Sequence, residues 1–409
     1  SKGFVLGIML LAFLIPSVYG IEFKYTQSNG ASTETTWLDM KADLDTAVKA
    51  EISSNPTISM NGGSASLTEH HQVTDSLGNH AQVDAVVKNA ESITYSDTLT
   101  PEEGNLGYTI GYVQTVQTLD AVNADLIKVS QSASNAGKAT ASSGTKIEYG
   151  SLNGYIGSAY ADIDVVGSGQ GFDSAGGATV NIYEKASSDI GSSVSSADII
   201  NGGIGGYEPV GIFYEFGAFA ANGFEPGRGV MTAYEFEGAT GDKITLASSA
   251  SFVDGSKSSI KTTVKNAQIY PYFTGSLIGI EFPAAVSFQS FDVMVGDNIK
   301  ITDTASNSLG DQASVVTEVQ KGAIVNNGIA PGLPSDAAIA WLDGTYNLIA
   351  GGPGFMEPIP TYNVYGTSED SKLTLTASAK NALTGEIARA KTVVPNSEFP
   401  ALDGVAYIN

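Results

Sequence analysis

Six times along the chain, an alternating run of apolar and polar residues climbs to a glycine-bearing turn and is followed by a second alternating run. The clearest copies are IKITDTASNSLGDQASVVTEV at 299–319 and ITLASSASFVDGSKSSIKTTV at 244–264. Aligned on Gly310 and Gly255, they are joined by copies around Gly78, Gly137, Gly191 and Gly385, at spacings of 59, 54, 64, 55 and 75 residues. Eleven residues before the glycine stand Leu67, Val180, Ile244 and Ile299, with Ile127 and Leu373 joining when their units shift by one. Nine before it stand Ile182, Leu246 and Ile301, with Val129 and Leu375 under the same shifts, while Glu69 breaks the rule. Five before it stand Val73, Ala186, Ala250 and Ala305. After the glycine, Val83, Ile260, Val315 and Ala390 occupy position five, and Val87, Ile200, Val264, Val319 and Val394 occupy position nine. All these offsets are odd, so each arm puts its apolar residues on one side of an extended chain. The pattern predicts β-hairpins with one buried face, turned by Ser, Asn and Gly.

The fold class that follows is all-β, with repeated hairpin units forming large antiparallel sheets or tandem sandwich-like domains. A period near 60 residues exceeds that of a solenoid coil, so each unit must hold more than one hairpin. Aromatic-rich segments between the hairpins, such as SLNGYIGSAYADIDVV and VMTAYEFEG, supply two or so further strands per unit. MKADLDTAVKAEI at 40–52 alternates too regularly for a helix and reads as a strand. NNGIAPGLPSD and GGPGFMEPIPTY read as long surface loops. Three hairpins on each side of NGGIGGYEP suggest two β-rich domains, 21–205 and 206–409.

Composition narrows the function. Forty-three acidic residues against 20 Lys plus Arg give a net charge of −23, which excludes nucleic acid as a partner. Only 15% of residues are charged, so the surface is largely Ser, Thr, Asn and Gly. There is no cysteine, and robustness must come from packing, backbone pairing or association. The opening SKGFVLGIMLLAFLIPSVYG has the layout of a secretory signal peptide, predicting cleavage after Gly20 and an extracellular or cell-surface location. No other apolar run reaches transmembrane length, so no membrane span is expected in the mature chain.

The search for chemistry returns little. No nucleophile elbow or catalytic triad is present, and no enzymatic activity or cofactor is expected. His70, His71 and His80 are the only histidines, and adjacent strand residues face opposite sides, so His70 and His71 are read as decoration of the first hairpin and not as a chelate. Glycine runs at 167–172 and 201–206 lack the strand-loop-helix setting of a phosphate loop. Asp43/Asp45 and Asp162/Asp164 could contribute to divalent cation binding, but solvated acidic edges account for them better, and no metal site is assigned. The one proline-free requirement of an N-glycosylation sequon fails at Asn55-Pro56-Thr57. The six turn glycines, Gly78, Gly137, Gly191, Gly255, Gly310 and Gly385, are the only positions singled out.

The signal-like start, the acidic cysteine-free Gly/Ser/Thr/Ala composition and stretches such as KVSQSASNAGKATAS and LTLTASAKNALTGEIARAK give a chain that resembles the amyloid-like sheath and surface-layer proteins of archaea, especially the sheath proteins of filamentous methanogens. That resemblance implies a structural protein whose partner is itself, polymerised through lateral β-sheet contacts into an extracellular tube or layer; apart from the resemblance, divalent cations are a candidate partner of so acidic a chain. Two other classes share parts of the pattern. A carbohydrate-binding adhesin would expose its aromatic clusters, and an outer-membrane β-barrel pore would need outward apolar faces with aromatic girdles.

Overall fold

The computed structural model describes residues 19–28, 32–43, 45–51, 56–97, 112–209, 218–221, 229–279, 284–306, 308, 310, 312–326, 336–337, 362–366, 370–380 and 382–395. Eighteen strands join in one antiparallel sheet, and no helix occurs among the described residues. In chain order they are β1 (Tyr19–Ser28), β2 (Ser32–Ala42), β3 (Ala47–Glu51), β4 (Thr57–Asp75), β5 (His80–Asp97), β6 (Tyr112–Ser134), β7 (Thr140–Asp162), β8 (Val165–Ser188) and β9 (Gly191–Pro209). The second half adds β10 (Ala218–Ala221), β11 (Gly229–Phe252), β12 (Lys257–Gly279), β13 (Ala284–Ser306), β14 (Gln312–Asn326), β15 (Asp336–Ala337), β16 (Tyr362–Gly366), β17 (Lys372–Lys380) and β18 (Ile387–Pro395).

The six repeats are the hairpins β4–β5, β6–β7, β8–β9, β11–β12, β13–β14 and β17–β18. A seventh, β1–β2, pairs Ser28 with Thr33 around the Asn29-Gly30 dipeptide, which lacks enough of the repeat pattern to stand out. Three turns share one hydrogen-bond scheme. The amides of Asp75, Asn135 and Phe252 bond the carbonyls of Asn79, Ala139 and Ser256, and the amides of Gly78, Lys138 and Gly255 bond back to Asp75, Asn135 and Phe252. The fourth residue takes a left-handed conformation, with φ of 88° at Gly78, 71° at Lys138 and 96° at Gly255. In the β6–β7 turn that residue is therefore Lys138 and not Gly137, which is why this unit needs a shift of one. Gly310 and Gly385 also have positive φ, and the β17–β18 turn at 381–386 is one residue longer than the 307–311 turn, which shifts the last unit. The β8–β9 turn is only Asp189-Ile190, so Gly191 already belongs to the strand and the next residues change side. Ile200, expected on the buried face, is 41% exposed, and Ile199 is buried in its place.

The turn chemistry yields a direct prediction. Gly255→Ala meets nothing within 4 Å but forces a left-handed alanine, and is expected to cost about 1–2 kcal/mol. Gly137→Ala should be close to neutral, and Lys138→Gly should gain about 1 kcal/mol by relieving the left-handed lysine. Denaturant midpoints of the three variants check the assignment.

The long strands do not lie flat. Thr145, which pairs with Ile182, also donates to Gln170 at 2.8 Å, and a hydrogen bond joins Gln131 to Tyr155 although Gln131 pairs with Ser143. Ser193, near one end of β9, bonds Thr232 near the start of β11 at 2.7 Å. Such contacts require each strand to bend midway, so that the sheet doubles over and both layers are built from the same strands. The bend coincides with residues at left-handed φ within strands: Asn89 (50°), Asn123 (52°), Tyr149 (52°), Asn201 (49°), Asn266 (48°) and Lys321 (49°). Asn tolerates this conformation because its amide can bond locally. Here the amides of Asn89, Asn123 and Asn201 reach across to Asp125 (2.8 Å), Glu91 (2.7 Å) and Asp242 (2.8 Å), and Asn266 reaches Asp297. The aromatic segments expected to be extra strands are thus the second halves of the hairpin strands themselves, and two long bent strands account for the period near 60. Segment 40–52 bends likewise: β2 ends at Ala42, and Asp43 accepts bonds from the Thr46 hydroxyl (2.7 Å) and the Ser64 amide (2.9 Å) before β3 begins.

Position 205/206 falls inside β9, which pairs with β8 on one side and β11 on the other, so the sheet runs through it. The proline- and glycine-rich loops at 326–336 and 351–362 lie outside the described residues apart from Asn326, Asp336 and Tyr362, and the expected leader lies outside them apart from Tyr19 and Gly20, which open β1.

Candidate functional site

In the layer that carries the turns, fourteen strands lie side by side in the order β1, β2, β4, β5, β6, β7, β8, β9, β11, β12, β13, β14, β17, β18. One row of directly paired residues crosses all of them: Ile21, Met40, Leu67, Val87, Ile127, Ile147, Val180, Ile199, Ile244, Val264, Ile299, Val319, Leu373 and Val394. Every member is aliphatic or Met, and all of those from Met40 to Leu373 are buried, as a row that fills the space between two layers must be. A second row, six residues nearer the turns, carries Ala at Ala81, Ala133, Ala141, Ala186, Ala250, Ala305, Ala313, Ala379 and Ala388. The register does not drift along the sheet. Closing a sheet into a barrel requires tilted strands and a fixed stagger, and no pairing joins β1 to β18 among the described residues.

Among the described residues the two ends are therefore open edges. β1 presents Glu22, Lys24, Thr26 and Ser28 to solvent, and β18 is exposed at Arg389, Lys391 and Val393. The core is open there as well: Phe23 and Ala50 at one end and Val394 at the other are only partly buried against it. Away from the ends it is closed. Tyr95, Tyr155, Tyr207, Tyr234, Tyr272, Phe236 and Phe291 are fully buried, and Phe172, Tyr207 and Tyr234 stack at centroid distances of 4.7 and 5.4 Å. These rings face inward, while Tyr149, Tyr183 and Tyr270 are exposed singly on the outer faces.

Between two apolar clusters, one around the aliphatic row and one near the turns, the interior carries polar side chains. Its positions seven residues before the turn residue are His71, Gln131, Glu184, Ser248 and Asp303, an offset skipped by the apolar pattern. Most are matched: Ser143 donates to Gln131 (2.8 Å), Tyr207 donates to Glu184 (2.9 Å) and Thr262 donates to Gln289 (2.6 Å). Burial pushes the Glu184 carboxyl well above its usual range, against the opposing hydrogen bond from Tyr207.

At the β1 end this belt becomes an acid–histidine cluster. His71 is fully buried, its Nε2 lies 3.2 Å from Glu34 Oε1, and its Nδ1 contacts Asp97. Glu69, two residues back on the same face of β4, Asp97 at the end of β5 in the facing layer, and His71 bring ligand atoms within 4.8 Å of one another. Glu34, Glu69 and Asp97 are all buried; Glu34 and Asp97 share the His71 ring, and neither oxygen of Glu69 has a hydrogen bond of good geometry. Burial opposes a charge on His71, but Asp97 and Glu34 outweigh it and push its pKa up to about 10. Burial, reinforced by Asp97, drives Glu69 well above the usual carboxyl range, and burial raises Asp97 against the opposing pull of His71. The Tyr95 hydroxyl adjoins Glu69 and is raised by burial too.

The structure thus corrects the reading of the histidines. His70 and His71 do face opposite sides: His70 Nδ1 meets Asp84 at 2.6 Å on the outer face, and His80 Nδ1 meets the Thr74 hydroxyl at 2.9 Å. His71, however, decorates nothing. It is an interior residue whose partners come from β2 and the far half of β5, separations invisible without the bend. Asp162 caps the tight β7–β8 turn by accepting from the amides of Asp164 and Val165, and Asp43 caps the β2–β3 corner, so both carboxylate pairs have turn roles. The predicted turn glycines and the interior cluster do not meet in one site. No helix among the described residues is long and apolar enough to cross a membrane. Comparison with family models, with curated proteins and with solved structures finds no match to this chain.

Proposed function

We propose that this is a structural protein that self-assembles head to tail through its sheet edges, in the manner of a sheath or surface layer outside the cell. The observation that supports it is the unsheared fourteen-strand layer with two open ends. Because the strands alternate in direction and their number is even, β18 of one copy meets β1 of the next antiparallel, the same relation as between every pair inside the subunit. Continuing the aliphatic row sets Val394 opposite Ile21 of the next copy. The joint would then add backbone hydrogen bonds along strands of nine and ten residues and cover Phe23, Ala50 and Val394. In this register Lys391 would stand directly opposite Lys24, a like-charge pair, with Glu22 diagonal to Lys391 to offset the repulsion. The acidic excess discourages bundling of the polymers side by side. Inward-facing aromatics and a drift-free register give no comparable support to the adhesin or the barrel.

The test is to remove denaturant from the full chain and follow it by sedimentation and electron microscopy. The expected product is a filament or ribbon with a 4.7–4.8 Å strand spacing and a subunit repeat of about 65–70 Å, fourteen strands at about 4.8 Å each. A chain that stays monomeric over wide ranges of concentration, salt and divalent cation would sink the proposal.

A further inference from the structure

We infer that Glu69, His71 and Asp97 hold a divalent metal ion between the two layers, with Glu34 fixing the histidine through its second ring nitrogen. Four observations meet in this one place. The three donors converge within 4.8 Å. They come from both layers, since Glu69 and His71 stand in the turn-bearing half of β4 and Asp97 ends the other half of β5. All are buried, Glu34 and Asp97 have only the His71 ring as an ion-pair partner among the described residues, and both carboxylate oxygens of Glu69 lack a hydrogen bond of good geometry. Finally, three buried carboxylates face a single imidazole, with no Lys or Arg paired to them among the described residues. Leaving such groups empty is costly, because a buried carboxylate without a partner loses its hydration and gains nothing.

The donor set selects the ion. Two carboxylates and an imidazole suit a first-row dication such as Zn²⁺ or Mn²⁺ better than Ca²⁺, which takes six to eight oxygens. His71 Nδ1 is the nitrogen on the Asp97 side, so it would face the ion, while Nε2–H points at Glu34. A ligating histidine usually donates its other N–H to a carboxylate in this way. An ion here would tie the layers together three strands from the open β1 edge, where the core has least cover. Its role is structural. The inference does not depend on assembly, since every ligand lies within one chain.

The full-length protein, stripped with chelator and dialysed, is titrated with ZnCl₂ and separately with MnCl₂, reading bound metal per chain and the thermal midpoint. The expected result is one tightly held ion and a rise of several degrees in the midpoint. Glu69→Gln and Asp97→Asn keep the shape and remove buried charge, so these variants should fold without metal at least as stably as the parent and lose the metal-dependent rise. Glu34→Gln should weaken binding by about 10- to 100-fold while leaving one site. To keep the test independent of the variants, the three histidines of the parent are labelled with ¹⁵N: Mn²⁺ should broaden His71 at the lowest metal ratio and more strongly than His70 and His80. The inference is overturned if the stripped chain takes up no ion, if the Glu69→Gln and Asp97→Asn variants bind and respond as the parent does, or if Mn²⁺ broadens His70 or His80 and leaves His71 sharp.

Discussion

Gly202→Ala is expected to cost at least about 3 kcal/mol, a large fraction of the roughly 5–15 kcal/mol that holds a domain folded. A Cβ at this position would sit 1.9 Å from the Thr240 carbonyl oxygen and 2.6 Å from the Gly241 Cα. Both obstacles are backbone, so no rotamer change relieves them. The same holds at Gly150, whose Cβ would lie 1.9 Å from the Gly176 oxygen. These glycines sit where the sheet doubles over: Gly202 pairs with Gly177 on one side and Gly241 on the other, beside the left-handed Asn201. Gly176→Ala is the control, because its Cβ would meet nothing nearer than 3.5 Å, and it should cost about 1 kcal/mol or less. Denaturant midpoints and resistance to protease compare the two. Equal effects would mean that the close approach at the bend does not hold the layers together.

The hairpins were legible because their signal is local. Alternation, a turn glycine and an alanine five residues before it lie within some twenty residues, and these features place the β4–β5 to β17–β18 hairpins at their observed positions. The bend was not legible. Asn89, Asn266 and Lys321 stand eleven residues after Gly78, Gly255 and Gly310, and Tyr149 stands eleven after Lys138, but a lone Asn or Lys inside an alternating run carries no marker of a left-handed φ. Without the bend, aromatic segments could only be counted as additional strands. Ile200 falls on the other side because the two-residue turn Asp189-Ile190, flanked by Ser188 and Gly191 in the strands, reads in sequence like a longer Ser/Asp/Gly turn. The interior cluster did leave a trace. Glu69 was the one charged residue at an otherwise apolar offset, and it proves to be on the buried face with His71 two residues on. Its partners could not be read, because Asp97 joins it only through the fold of the sheet and Glu34 only through the β2–β4 pairing.

The second large effect belongs to the joint. If Val394 continues the aliphatic row onto Ile21 of the next copy, the outward pairs follow by counting: Val393 faces Glu22, Lys391 faces Lys24 and Arg389 faces Thr26. Paired residues in an antiparallel ladder have Cα atoms about 4.5–5.5 Å apart, within the span of a disulfide. The chain contains no cysteine, so any introduced pair is read without background. Thr26 and Arg389 are both exposed and belong to the edge strands β1 and β18, so exchanging them should leave the subunit intact.

The most direct measurement is mild oxidation of the assembled Thr26→Cys/Arg389→Cys protein, followed by a non-reducing gel, beside each single variant. Head-to-tail assembly predicts a ladder of covalent multimers from the double variant and monomers from both single ones. Dimers from either single variant, or polymers of the double variant that remain uncrosslinked here and in a Lys24→Cys/Lys391→Cys counterpart, would contradict the β18-to-β1 joint.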